Sequence, residues 1–509
     1  MKNFLLILTV FISAIFLVAA IRGISGSPSV DDLNSITWKE NGPFELSPER
    51  GRFALTYSLV EERSLNFSTA LARFVTPDLG YWDGKYVSLF APAVSFLVIP
   101  GYLLGKFIGI SQVGSFFIIS LFAIANFILI VKISETLGAN NRASVLAGLI
   151  FLFATPSFAY AINLYQHHIS TFLILLCSFL LIKKDKSWLQ LLIVWFLITF
   201  SLVVDYPNFF LMFPLGLAAL IKVLKFRQTT KIYKISFKFS SLLSLSSAFL
   251  PLILFGIFNF YSYGSPYRLS GTIASVSSID SGGEPIFPLD IKETFGNDFQ
   301  GKGESALGFF RTRNIVNGLY VHLLSPDRGV AIFSPVILFG ILGIYFLHKN
   351  KFTVLFLSIV VMNIILYSMW GDPWGGWAFG SRYLIPGYAI MSIFISIALT
   401  KLSKNKTLLI FFSLLLTYSI AVNTLGAITT STNPPKIQAI PLQDVTGKIE
   451  RYSYDRNWEY LNTFGSKSYV FREYVSSYIN ARSYYFVLTT LISGLSLGII
   501  PLLYLSKTK

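Results

Sequence analysis

Runs of apolar residues, each closed by a short polar or basic stretch, recur along the 509 residues of this chain. Crossing the hydrocarbon of a bilayer takes about 20 such residues in a helix. Segments of roughly that length lie at 4–22, 113–131, 143–163, 168–182, 188–204, 207–221, 239–262, 329–347, 353–370, 383–400, 407–427 and 485–505. A further stretch, 87–110, is broken by Pro92, Pro100, Gly101 and Gly105, a pattern for short helices. The expected fold is an all-α integral membrane protein of about 12 spans, between roughly 11 and 13, with juxtamembrane helices in a large first loop. No fixed-period repeat or low-complexity tract interrupts the pattern.

Charge sorts the connections. Those at 183–187, 222–238, 348–352 and 401–406, with the two termini, hold 17 Lys/Arg and one acid, Asp185. The positive-inside rule puts them, and so both termini, in the cytoplasm. Parity then places 132–142 inside and residue 165 outside, so 23–112 is outside at both ends. The stretch 87–110 is therefore expected as a juxtamembrane or re-entrant pair of short helices. The acids run the other way: 21 of the 25 fall in 23–112, 263–328 and 428–484. Carboxylate chemistry is expected on the outer face. The organisation read from this is a polytopic unit 1–427 with outer loops 23–112 and 263–328, an outer loop 428–484, and a last span with cytoplasmic tail, 485–509. A second reading of the first span is a cleaved signal peptide, with Lys2 as its basic region and Ala19-Ala20 near the cleavage site.

Composition excludes several classes. At 53% hydrophobic and 13% charged residues the chain is not a soluble globular protein. Its net charge of +16 is accounted for by cytoplasmic loops, without a nucleic-acid partner. Cys177, the single cysteine, has no disulfide partner. There is no Walker loop, Rossmann glycine fingerprint, HExxH helix or CxxC pair, which argues against an ATPase, a dehydrogenase and a zincin protease.

Candidate chemistry gathers on the outer side. In SPERGRFALTYSLVEERSLNF, Pro48 can open a helix with Glu49 in its first turn and Arg52 one turn on. Glu49 reads as a general base or as half of a salt bridge, and Asp31 and Asp32 are alternative acids near the same surface. His167 and His168 end an outer connection; neighbours on a helix point about 100° apart, so hydrogen bonds to a phosphate or sugar, or a structural role, fit better than a shared metal ion. Asp205 sits in a turn of few residues beside hydrocarbon, either facing a wet cavity or capping the next helix. Arg382, the only basic residue between Lys351 and Lys401, lies in the Trp- and Gly-rich WGDPWGGWAFGSRYLIP and suits bidentate phosphate binding or interfacial anchoring. Arg328, beside Asp327, holds a similar place. Carboxylates, histidines and isolated arginines converging on one face fit an anionic, lipid-borne substrate. No spacing forms a recognisable metal site, and the need for a divalent metal stays open.

Several segments in order, ERGRFALTYSLVEE, YWDGKYVSLFAPAVSFLVIP, FNFYSYGSPYRLSG, SPDRGVAIFSP and WGGWAFGSRYLIP, resemble the GT-C superfamily of polytopic glycosyltransferases. The likeness is to the branch of the protein mannosyltransferases and the lipid A aminoarabinose transferase. It implies transfer of a sugar from a polyprenyl-phosphate donor to a glycan, lipid or protein acceptor at the outer face of the cell membrane. In that reading Glu49 takes the place of the first-loop catalytic acid, activating the acceptor hydroxyl with inversion at the anomeric carbon, and Arg382 or Arg328 holds the leaving phosphate. The chain departs from the family in having Glu49 where Asp is usual, Arg50 where a second acid often stands, and Leu89 or Phe90 where a basic residue precedes a double proline. Two other classes are a lipid-linked glycan flippase, which would favour inverted repeats and mid-membrane charges, and an O-antigen-ligase or polymerase-like enzyme, which concentrates its site in one late outer loop.

Overall fold

The structure, a computed structural model, describes residues 2–39, 42–183, 187–229, 232–237, 239–288 and 310–505. Part of the expected cytoplasmic loop at 183–187 and of the expected outer loop 263–328 lies outside these residues. Each of the twelve apolar segments is helical. Six helices are long and apolar enough to cross a membrane by length and composition: Ser111–Thr136, Ser241–Tyr263, Lys351–Ser368, Arg382–Leu402, Lys406–Ile428 and Ala481–Tyr504. Six shorter apolar helices account for the rest, from Phe4–Ala20 to Pro335–Leu347. One hydrophobic core runs from Phe16 to Leu503 through almost all of them.

Two expected spans are shorter than the sequence pattern. The segment 143–163 is helical over Asn141–Phe153, breaks before Pro156, and resumes as the single turn Ser157–Tyr160. Proline has no N–H to donate to the Leu152 carbonyl, which the Ser157 hydroxyl faces at 3.5 Å, and the Thr155 hydroxyl donates to the Phe151 carbonyl at 2.7 Å. The segment 329–347 likewise becomes a turn at Val330–Phe333 followed, after Ser334, by a helix opening at Pro335.

The stretch 87–110 forms two short helices, Ala93–Leu97 and Ile99–Phe107. Nine residues rise only about 13 Å, less than half the hydrocarbon thickness. The second packs backbone to backbone on Ser111–Thr136. A Cβ on Gly101 would lie 2.3 Å from the Gly114 carbonyl oxygen, so only glycine permits this approach.

A small sheet is added to the helices. Leu79–Trp82 pairs with Lys85–Ser88 through a two-residue turn whose Asp83 and Gly84 both have positive φ, 48° and 74°. That matches the right-handed strand twist. Ala274–Val276 adds to the other edge of Leu79–Trp82 and ties the first loop to the segment after Tyr263. The late segment meets the end of the first helix, where the Tyr469 N–H donates to the Ile21 carbonyl at 2.7 Å and Arg22 pairs with Ser468.

Candidate functional site

Where the first loop meets the helix ends there is a cavity of about 830 Å³. Its wall is charged as well as aromatic: Arg52 and Arg382, the carboxylates Asp78, Asp205 and Asp372, and Tyr165, Tyr367, Trp370 and Tyr383 all line it.

Arg52 projects from the helix Ser47–Tyr57, which Pro48 opens at a position where the missing N–H costs nothing. Its guanidinium donates to the Pro48 carbonyl at 3.2 Å and to Gln166 Oε1 at 2.7 Å, while Nε finds no partner. Burial pushes Arg52 down to about 10, Asp205 and Tyr165 work against that, and the positive charge of Arg382 adds to it. Arg382 begins the helix after the glycine-rich turn. It donates to the Gly375 carbonyl at 2.7 Å, and its Nε and Nη1 are buried without a protein acceptor. Both arginines lie over the ring of Tyr165, at 5.8 and 5.1 Å. Among the described residues neither forms an ion pair. Two desolvated cations sharing one ring repel each other; Asp205 offsets part of this without pairing with either, and an anion bound between them would offset more.

Asp205 follows the last residue of Trp188–Val204, its N–H bonded to the Ser201 carbonyl at 3.0 Å. Its Oδ2 accepts from Gln166 Nε2 at 3.1 Å. Burial raises its carboxyl, opposed by that hydrogen bond and by Arg52 and Arg382. Asp78 accepts the Ser47 hydroxyl at 2.5 Å. Asp372 is occupied within its own turn, accepting the Trp374 and Gly376 N–H groups at 3.1 and 2.5 Å. Tyr367 and Tyr383 stack on each other at 4.2 Å and 7° in the cavity wall.

Glu49 is one turn from Arg52 but is not part of the wall. It is buried, its Oε2 accepting the Glu45 and Leu46 N–H groups at 2.8 and 3.3 Å and its Oε1 without a partner. Burial pushes its carboxyl up to about 7, with Arg22 opposing and Glu45 reinforcing. Asp31 and Asp32 stand on the exposed turn Val30–Leu33 away from the cavity, where Asp32 caps the turn through Ser29 at 2.7 and 2.9 Å. His167 backs the wall, its ring stacked on Tyr165 at 5.8 Å and 10°. His168 turns away to the Ser157 carbonyl at 2.8 Å and to Asn126. Arg328 lies behind the turn, donating to the carbonyls of Trp374, Gly376 and, at 3.3 Å, Asn433. The cavity thus brings together Arg52, Asp205 and Arg382 from three distant stretches of sequence; Glu49, His167 and Arg328 stand behind it. Asp78 and Gln166 were not singled out from the sequence. Gln166 lies within the NLYQHH segment that drew notice for its histidines, and Asp78 carried no local signal. Among the described residues no group of three or more His, Cys, Asp or Glu is placed to hold a metal ion.

No family model matches the sequence, and no curated protein does. Among solved structures the chain is similar to ArnT from Cupriavidus metallidurans in the apo state, with 11% identity and a TM-score of 0.43 over 97% of this chain and 77% of that one. For the same protein bound to undecaprenyl phosphate the figures are 13%, 0.43, 98% and 76%. The Archaeoglobus fulgidus oligosaccharyltransferase in the apo form matches at 13% identity and a TM-score of 0.40, over 97% of this chain and 56% of that one.

Proposed function

We propose that the protein is an integral-membrane glycosyltransferase that moves a sugar from a polyprenyl-phosphate donor to an acceptor hydroxyl at the outer membrane face. The observation that carries this reading is the pair Arg52 and Arg382, two buried guanidiniums on a cavity wall, neither of them in an ion pair among the described residues. Such a site is built for a phosphate, which can accept from both.

A second cavity supports a lipid-linked phosphate. An apolar groove of about 970 Å³ runs along Phe249–Tyr263 and ends at Leu269, while Ser270 and Gly271 line the polar cavity. A head group in one and a hydrocarbon chain in the other describe an amphiphile entering from the bilayer.

The chemistry follows from the wall. An acceptor oxygen attacks the anomeric carbon, its proton passes to a carboxylate, and the bond from that carbon to the phosphate oxygen breaks with inversion. Arg52 and Arg382 take up the charge that grows on the leaving phosphate. Asp205 is the proposed base, because it faces the cavity and its carboxyl is raised. Glu49 is the second reading, favoured by its unpartnered Oε1 and a pKa of about 7, near the pH at which a base must work.

The test is release of polyprenyl phosphate from polyprenyl-phosphate sugars by the purified chain in nanodiscs, with host membrane extract supplying the acceptor. Asp205→Asn is expected to lower turnover by about 100-fold or more with donor binding kept, and Glu49→Gln to leave it within a few-fold of wild type. The reverse result moves the base to Glu49. No turnover with carrier moving between leaflets overturns the enzyme reading in favour of a flippase.

A further inference from the structure

Gln166 stands between the two charged walls of the cavity and is the side chain through which they touch. It immediately precedes the helix His167–Ile182. Its Oε1 accepts from Arg52 Nη2 at 2.7 Å and its Nε2 donates to Asp205 Oδ2 at 3.1 Å. An amide has one accepting and one donating end, so the two bonds together fix its orientation, oxygen toward the cation and nitrogen toward the carboxylate. Among the described residues Arg52 and Asp205 do not pair with each other directly.

The consequence lies in what each charge keeps. Had Arg52 and Asp205 met as an ion pair, the guanidinium would be neutralised and the carboxylate tied up on the cationic side. With a neutral amide between them, Arg52 is held through Nη1 by the Pro48 carbonyl and through Nη2 by Gln166, both neutral acceptors, and retains its charge toward the cavity, while Asp205 is held by one oxygen and keeps the other for the cavity. We infer that Gln166 is a positioning residue that holds Arg52 and Asp205 apart and aimed, so that one binds the donor phosphate while the other receives the acceptor proton. This rests on the donor reading above.

A glutamate at this position separates a positioning role from a merely structural one. Protonated, its carboxyl copies the amide, accepting from Arg52 and donating its O–H to Asp205. Ionised, it pairs with Arg52 and repels Asp205. Besides Arg52 and Asp205, the titratable and charged groups acting on this pair are Arg382, Glu49, Tyr165, His167, Tyr367 and Tyr383, with Asp78 and Asp372 on the same cavity wall.

The experiment is equilibrium binding of undecaprenyl phosphate to the full chain in nanodiscs between pH 5 and 8, for wild type, Gln166→Glu and Gln166→Met. Gln166→Glu is expected to match wild type near pH 5 and to bind about tenfold or more weakly at pH 8, each compared with wild type at the same pH. Gln166→Met, which can make neither bond, is expected to bind about three- to tenfold more weakly at every pH. A Gln166→Glu curve running parallel to wild type overturns the inference, as does full affinity in both variants. Should Gln166→Glu fail to fold, wild-type affinity in Gln166→Met overturns it alone. Absence of binding by wild type overturns the donor reading and the inference with it.

Discussion

Glu45 and Arg52 belong to the same short stretch of the first loop, yet the charge around them is handled in opposite ways. The Glu45 side chain is sealed, 1% exposed, between Arg22 and Lys467, each at 2.6 Å, and it also accepts the Ser431 N–H and hydroxyl at 2.7 Å each. Against the cost of burial these cations hold its carboxyl well below the usual range. The cluster draws one residue each from the first loop and the end of the first helix, and two from the late segment. Around Arg52 the charges are held apart: two cations face a cavity, and the carboxylate of Asp205 reaches Arg52 only through Gln166. Charge that is buried in direct ion pairs closes a fold, whereas charge that is buried outside any ion pair and faces open volume is capacity to bind. The molecule has both within two turns of helix.

The largest effect comes from breaking the matched side. Glu45→Gln keeps the shape but leaves Arg22 and Lys467 buried with no carboxylate between them, a loss of about 3–5 kcal/mol. Thermal unfolding in detergent should show a strongly lowered midpoint and poor recovery of folded protein. A change within about 1 kcal/mol would mean that the cluster does not hold the late segment in place.

Glu49 lies between the two regimes and reports on both through pH. Its folded pKa of about 7 exceeds its ordinary 4.5, so the folded chain keeps a proton that the unfolded chain has released. Stability from this group therefore falls as pH rises from about 4.5 to 7 and is level above that. The Glu45 contribution has the opposite sign and a separate window: it is complete above the ordinary carboxylate range and is lost only in more acid solution. Glu49→Gln should remove the first slope, matching wild type near pH 4.5 and exceeding it by up to roughly 3 kcal/mol at pH 8. Unfolding midpoints at pH 4.5, 6 and 8 check this, and parallel curves for the two proteins would sink it.

The contrast was half legible in the sequence. The apolar helices could be read from hydrophobic runs, because a stretch of about 20 consecutive apolar residues is a local property. The helix breaks at Pro156 and Pro335 were readable in principle but were hidden inside longer apolar runs. The hairpin around Asp83-Gly84 carried a strong turn signal, outweighed by the helical reading of everything around it. In the cavity, Asp205 stood out because charge beside hydrocarbon is costly, Arg382 as the only basic residue between Lys351 and Lys401, and Arg52 through its spacing one turn from Glu49. Gln166 did not, since a neutral amide has no such cost and its importance lies in two partners 114 and 39 residues away. Glu45 escaped notice for the same reason, as Arg22, Ser431 and Lys467 meet it only after folding. Arg328 looked equivalent to Arg382 in sequence; the difference is that Arg328 faces three carbonyls and Arg382 faces a cavity.

The smallest effect on stability, and the sharpest test of the comparison, belongs to Arg382→Ala. The substitution gives up one hydrogen bond to the Gly375 carbonyl and ring contacts with Tyr165 and Tyr383. It also relieves the repulsion between Arg382 and Arg52 and removes two buried N–H groups that have no acceptor. These contributions oppose each other, so the unfolding midpoint should change by no more than about 1 kcal/mol, far less than for Glu45→Gln. Binding should tell the other half. With one guanidinium gone, affinity for undecaprenyl phosphate in nanodiscs should fall about tenfold or more, the loss of a charge-assisted contact to phosphate. A large loss of stability with affinity kept would make Arg382 a second matched charge, satisfied by carbonyls and rings, and would leave Arg52 alone as the anion-binding group.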